Sequence, residues 1–125
     1  MVVADAIYNE GRRVASGEWS MPNVINDVRS FKTGKAWGAR DIQDIEGATV
    51  RLHWTDQPYK WHINDGAEVF VVLDGVVDMA YREGGKEYSV TLQAGDIFVA
   101  EIGDEHIARP QGEARILVIE KKGSV

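Results

Sequence analysis

The chain contains no cysteine in its 125 residues. That absence removes disulfides, thiolate metal ligands and a cysteine nucleophile together. It fits a reducing compartment, and a cytoplasmic location is expected. No run of 18 or more apolar residues occurs, so a membrane-spanning helix is not expected. Met1 to Ser20 has no uninterrupted apolar stretch and carries Asp5, Glu10, Arg12 and Arg13, unlike a secretory signal. Lys and Arg form no stripe interleaved with aromatics, and the formal net charge is −6 with a pI near 5. An acidic domain repels phosphate backbones, so no nucleic-acid partner is expected. Gly84-Gly85 lacks the helix and Lys-Ser/Thr that a phosphate loop needs. Ser16, Ser20 and Ser89 have no His/Asp partners at a useful spacing, so a serine triad is unsupported. Neither a repeat nor a low-complexity tract nor a linker divides the chain.

What is present reads as one small domain with a core of ordinary size. From Ala48 onward, runs rich in Val, Ile, Phe and Tyr alternate with Gly-containing turns. Strands are predicted over 50–54, 68–73, 76–82, 88–92, 97–102, 107–109 and 115–120. Gly84-Gly85 is a hairpin signal between two of them. Many short strands joined by tight turns imply an all-β sandwich or barrel. The first forty residues are less patterned. Val24, Ile25, Val28 and Phe31 fit a helical turn as well as a strand. Trp19 and Trp37 sit in polar surroundings and suit a core cover or an interface.

Three histidines exist, His53, His62 and His106. His62 and Asn64 are two apart on an extended segment and share a face. A two-residue turn, Asp65-Gly66, would put Glu68 on the opposite face. A three-residue loop over 65–67 would put His62, Asn64, Glu68 and Phe70 on one face. Periodicity does not choose between these.

Trp61-His62-Ile63-Asn64-Asp65-Gly66-Ala67-Glu68, followed by six residues and Gly75, resembles the first cupin motif. Gly95, five residues, then Glu101-Ile102-Gly103-Asp104-Glu105-His106 resembles the second. The resemblance spans roughly 42–121 and is closest to small single-domain cupins. Asn23-Val24-Ile25-Asn26 is similar to the lead-in of that group. It implies an all-β double-stranded β-helix, or jelly-roll barrel, over 41–125. Residues 1–40 would then be a short N-terminal extension packing on the barrel or on a partner. The resemblance also implies a metal site inside the barrel at His62, Glu68 and His106, and turn roles for Gly75, Gly95 and Gly103. Asn64 stands where the family usually has a second histidine, and Glu101 replaces a proline. An amide oxygen is a hard, neutral, weak ligand. Two histidines and a carboxylate still suffice to hold a divalent ion (Zn, Fe, Mn or Ni) with positions open.

His53 lies on the face of its strand opposite Leu52 and Trp54. It either points inward and replaces the missing ligand or, more in keeping with the burial habits of histidine, lies on the surface. Trp61 is read as a ring over the barrel mouth or as core packing. Phe70, Val72, Val99 and Met79 are read as pocket lining or plain barrel filling. Arg109, three after His106, is a candidate partner for a substrate carboxylate, for Glu101, or for neither. Glu101 and Glu105 offer base capacity or are solvated turn acids. Two functions follow. One is a metal-dependent enzyme of isomerase, lyase or oxygenase type acting on a small molecule. The other is a non-catalytic module binding a sugar or organic acid, with a degenerate metal site. The substrate and any catalytic residue are not legible. A homodimer is expected, because small cupins commonly pair and a leading segment can add to a partner's sheet edge.

Overall fold

The computed structural model describes residues 12–13, 19–20 and 22–124. Two short strands, β1 (Arg12–Arg13) and β2 (Trp19–Ser20), pair antiparallel. The expectations for the remainder of residues 1–21 lie outside the described residues. Of the helical-turn and strand readings for 22–31, the structure has one short 3₁₀ helix, Val28–Ser30, in otherwise irregular chain.

Nine further strands follow: β3 (Gly38–Ile45), β4 (Ala48–Thr55), β5 (His62–Ile63), β6 (Glu68–Asp74), β7 (Val76–Glu83), β8 (Lys86–Gln93), β9 (Ile97–Ala100), β10 (Glu105–Pro110) and β11 (Ala114–Lys121). They form two antiparallel sheets, one ordered β5-β10-β7-β8 and the other β3-β4-β11-β6-β9. Consecutive strands repeatedly change sheet, which is the winding of a double-stranded β-helix. The predicted barrel is therefore observed.

Local chemistry sets the tight corners. Gly84 and Gly85 both have positive φ, 59° and 78°, and close the β7–β8 hairpin. That pairing of two left-handed residues matches the right-handed twist of the flanking strands. Gly75 has φ 88°, and a Cβ there would overlap the Glu113 carbonyl oxygen. Strand β3 has no counterpart among the predicted strands. Its text, Gly-Ala-Arg-Asp-Ile-Gln-Asp-Ile, is polar because it forms an edge with one neighbour, and charge on an edge discourages further pairing.

Inward residues of both sheets meet between the layers. Phe70, Val72, Val77, Met79, Leu92, Ile116 and Val118 form the core, with Trp37 and Phe98 packed against it. The core fills one part of the barrel and leaves the ends of β6, β10 and β11 that carry Glu68, His106 and Glu120 free for polar side chains. Residues 29–37 lie against the larger sheet. Arg115 Nε donates to the Phe31 carbonyl at 2.9 Å, and the Trp37 N–H donates to the Trp54 carbonyl at 2.9 Å. Lys32 lies over the Trp54 ring, 5.2 Å from its centroid.

Candidate metal centre and cavity

His62 comes from β5, Glu68 from the first position of β6 and His106 from the second position of β10. The hairpin geometry considered for 65–67 does not occur. Strand β5 pairs with β10, His62 facing His106, whereas β6 pairs with β11 and β9 in the other sheet. Residues 64–67 therefore cross between sheets, and His62 and Glu68 converge because the two sheets face each other. Asn64 is pinned at this crossing. Its N–H donates to the Asp104 carbonyl and its carbonyl accepts from the Gly103 N–H, both at 2.8 Å.

One ligand atom each of His62, Glu68 and His106 lies within 4.8 Å of the others. Atoms bound about 2.0–2.2 Å from a common ion lie at most roughly 4.4 Å apart, a span of the same order as this cluster. The His62 Nδ1–H donates to the Lys60 carbonyl at 3.1 Å, which leaves the Nε2 lone pair for a ligand. Glu68 and His106 are buried, and their Oε1 and Nε2 atoms are 3.3 Å apart.

Asn64 is buried between them. Its Nδ2 donates to Glu68 Oε1 at 3.2 Å and to the Gly66 carbonyl at 3.1 Å. Both are acceptors, so the amide orientation follows and Oδ1 faces His106 Nε2 at 2.6 Å. His106 Nε2–H therefore donates to Asn64 in this arrangement. His106 Nδ1 is buried with no hydrogen-bond partner. Burial alone would push the Glu68 carboxyl up, but hydrogen bonds from His106 and Asn64, with the charge of nearby histidines, hold it below the usual range. Two imidazoles, one carboxylate and an amide oxygen at one point are a donor set that suits a divalent ion, Asn64 being its weakest member.

A cavity of about 270 Å³ adjoins this cluster. His62, Glu68, His106 and Phe70 line one side, and Trp37, Tyr59, His53, Arg51 and Glu120 line the rest. The aromatic rings meet edge to face. Trp37 is 5.3 Å from Tyr59 and 6.0 Å from His53, and Tyr59 is 5.3 Å from His62, centroid to centroid. His53 thus faces the cavity. The Leu52 and Trp54 side of β4 is not the barrel interior; it is buried on the outside. His53 Nδ1 bonds the Trp37 carbonyl at 3.1 Å, and burial lowers the ring's pKa. His53 is not in the ligand cluster.

Of the five residues expected to touch a ligand, Phe70 alone lines this cavity. Val72 is fully enclosed in the core, because the core fills that level of the barrel. Val99 is 59% exposed on the outward side of β9. Trp61 lies beneath the guanidinium of Arg82, 3.8 Å away, with Arg109 at 5.8 Å. Arg109 faces Glu87 at 3.9 Å, and Glu105 pairs with Arg82 at 2.8 Å. Strand parity explains this group: residues adjacent to the inward His62 and an odd step from His106 point away from the barrel. Glu101 is exposed and its N–H donates to Asp104 Oδ2 at 2.8 Å, so the turn does not need the family proline.

Tyr59, Arg51 and Glu120 were not singled out in the sequence. Arg51 shares the parity of His53 and was legible from that alone once His53 faced inward. Glu120 closes an apolar alternation on β11, and burial together with the charges of Glu68 and Asp65 pushes its carboxyl up to about 7.

Comparison with known proteins agrees with this architecture. Residues 48–120 match the family model described as cupin domain. A cupin-2 domain containing protein from Shewanella frigidimarina is 30% identical, with TM-score 0.64 over 72% of this chain and 85% of that one. A cupin superfamily protein from Desulfitobacterium hafniense has TM-score 0.67 at 10% identity, over 82% and 93% of the two chains. A protein from Neisseria meningitidis has TM-score 0.63 at 20% identity, over 80% of this chain and all of that one. No curated protein matches the sequence. No helix among the described residues is long and apolar enough to cross a membrane.

Proposed function

The chain belongs to the cupin domain family, and on that premise we propose that it is a metal-dependent enzyme acting on a small molecule held in the cavity. The observation that carries this reading is the convergence of His62, Glu68 and His106 within 4.8 Å on the cavity wall. A divalent ion there would supply Lewis-acid polarisation of a carbonyl or enolate oxygen. His62 presents Nε2 because Lys60 holds its other nitrogen. Glu68 contributes the anionic donor, and Asn64 Oδ1 stands beside His106 as a weak fourth. The enclosing rings of Trp37, Tyr59 and Phe70 limit water and favour a flat or apolar ligand body.

The test is metal analysis of untagged protein purified without chelators. A stoichiometric transition metal, lost in His62→Ala, is expected. Metal-free wild type, or equal metal in the variant, would overturn the reading.

One observation favours a second reading. Asn64 already joins Glu68 to His106 by hydrogen bonds, which completes the cluster without an ion. On that reading the barrel is a metal-free binding module, and ligand affinity would be indifferent to EDTA.

A cytoplasmic homodimer extends the proposal. Ile97 and Val99, 57% and 59% exposed on the outward side of β9, support pairing of two copies. Light scattering in solution tests it, and a monomer at all concentrations would remove it.

A further inference from the structure

The cavity holds more than the candidate metal cluster accounts for. Arg51 is its one basic side chain apart from the histidines. The Nε of Arg51 is held by Asp41 Oδ1 at 2.8 Å. Among the described residues no other carboxylate lies within 4.0 Å of it, and its two terminal nitrogens have no hydrogen-bond partner. An arginine fixed through Nε and open at both terminal nitrogens presents the fork that binds a carboxylate at two points.

With a divalent ion on the His62, Glu68 and His106 cluster, the ion and Arg51 offset Glu68, Glu120 and the Asp41 that holds Arg51, so the carboxylates no longer repel an incoming anion. For this point the inference rests on the metal reading above; the Arg51 geometry does not.

The aromatic part of the lining selects shape. Trp37 sits at φ 63°, a left-handed backbone that a bulky residue rarely adopts. It is held by three anchors: its N–H to the Trp54 carbonyl, its carbonyl to His53 Nδ1, and Nε1 to the Gln57 carbonyl at 2.8 Å. Strain retained against such restraint is typical of ligand clamps. It places the indole against Tyr59 on the cavity wall. A cavity of about 270 Å³ is the size of a small-ligand site and accommodates a small flat acid.

We propose that the cavity binds a small, flat monocarboxylate, with Arg51 receiving the carboxylate and Trp37 and Tyr59 packing its body.

Benzoate and benzamide are the probes, nearly identical in shape and differing in charge. Titration calorimetry is run on wild type, Arg51→Met and Arg51→Lys, each with metal content measured and folding checked by circular dichroism. Benzoate is expected to bind at least about tenfold tighter than benzamide. Arg51→Met should weaken benzoate about ten- to a hundredfold, leaving benzamide and metal content unchanged. Arg51→Lys, which keeps the charge but loses the fork, should fall between and guards against a folding artefact in the methionine variant. Equal affinity for the two probes, absence of benzoate binding, or an indifferent Arg51→Met overturns the proposal while metal content stands apart. Metal-free wild type that still discriminates benzoate through Arg51 overturns the metal reading and supports this one.

Discussion

His106 Nε2 and Asn64 Oδ1 stand 2.6 Å apart, and the same amide returns through Nδ2 to Glu68 Oε1 at 3.2 Å. Asn64 therefore links two of the three candidate metal donors. An imidazole nitrogen that donates a proton to an amide cannot at the same moment ligate an ion, so metal and proton compete at His106.

Asn64→His should raise affinity for Zn²⁺ or Ni²⁺ by at least about tenfold, because a neutral imidazole is a better ligand for those ions than an amide oxygen. Competition titration with a coloured chelator measures it. An unchanged affinity would show that residue 64 does not reach the ion.

Asn64→Ala should destabilise the metal-free protein by about 1–3 kcal/mol. It leaves His106 Nε2 and the Glu68 carboxylate short of partners in a buried place. Urea unfolding in EDTA measures the loss. A change under about half a kcal/mol would mean that water replaces the amide at no cost.

Glu120 gives the metal-free protein a distinct pH dependence. Its carboxyl is raised from 4.5 to about 7 in the fold, chiefly by burial and then by Glu68 and Asp65. Between those values the native state binds the proton more tightly than the unfolded chain, so stability falls as pH rises through the window. Glu68 is shifted the other way, and its contribution is lost only as pH falls through its depressed folded pKa. Glu120→Gln should flatten the decline between pH 4.5 and about 7, followed by urea midpoints with EDTA present. Identical pH profiles for variant and wild type would refute the assignment.

Gly75→Ala should cost about 2–4 kcal/mol, combining a left-handed backbone with a methyl group driven into the Glu113 carbonyl. Gly112→Ala, at φ 79° with open space around it, should cost less. Equal melting shifts for the two would locate the whole effect in the backbone.

Strand text from Ala48 onward was legible because β-branched and aromatic runs ended at glycine turns, and the β7–β8 hairpin is a local pairing. The ligand cluster was legible through two motifs whose spacing resembles a known family. Strand β3 was not, because none of its residues is fully buried and its text carries no apolar alternation. Trp61 and Arg109 were placed near the ligand on neighbourhood to His62 and His106 alone, and period-two geometry turns both outward.

By itself the sequence pointed to an all-β sandwich or barrel, since turn chemistry is local, and its resemblance to a known family implied the barrel and named His62, Glu68 and His106 as donors. Only the tertiary structure decided how they converge. The chain from Asn64 to Ala67 crosses between sheets, and no local pattern separates a crossing from a hairpin. Tertiary structure also decided that β4 is covered on both faces, so that Arg51 and His53 look into the cavity while Leu52 and Trp54 are buried outside it. Alternation tells which residues share a face; what covers that face depends on segments distant in the chain.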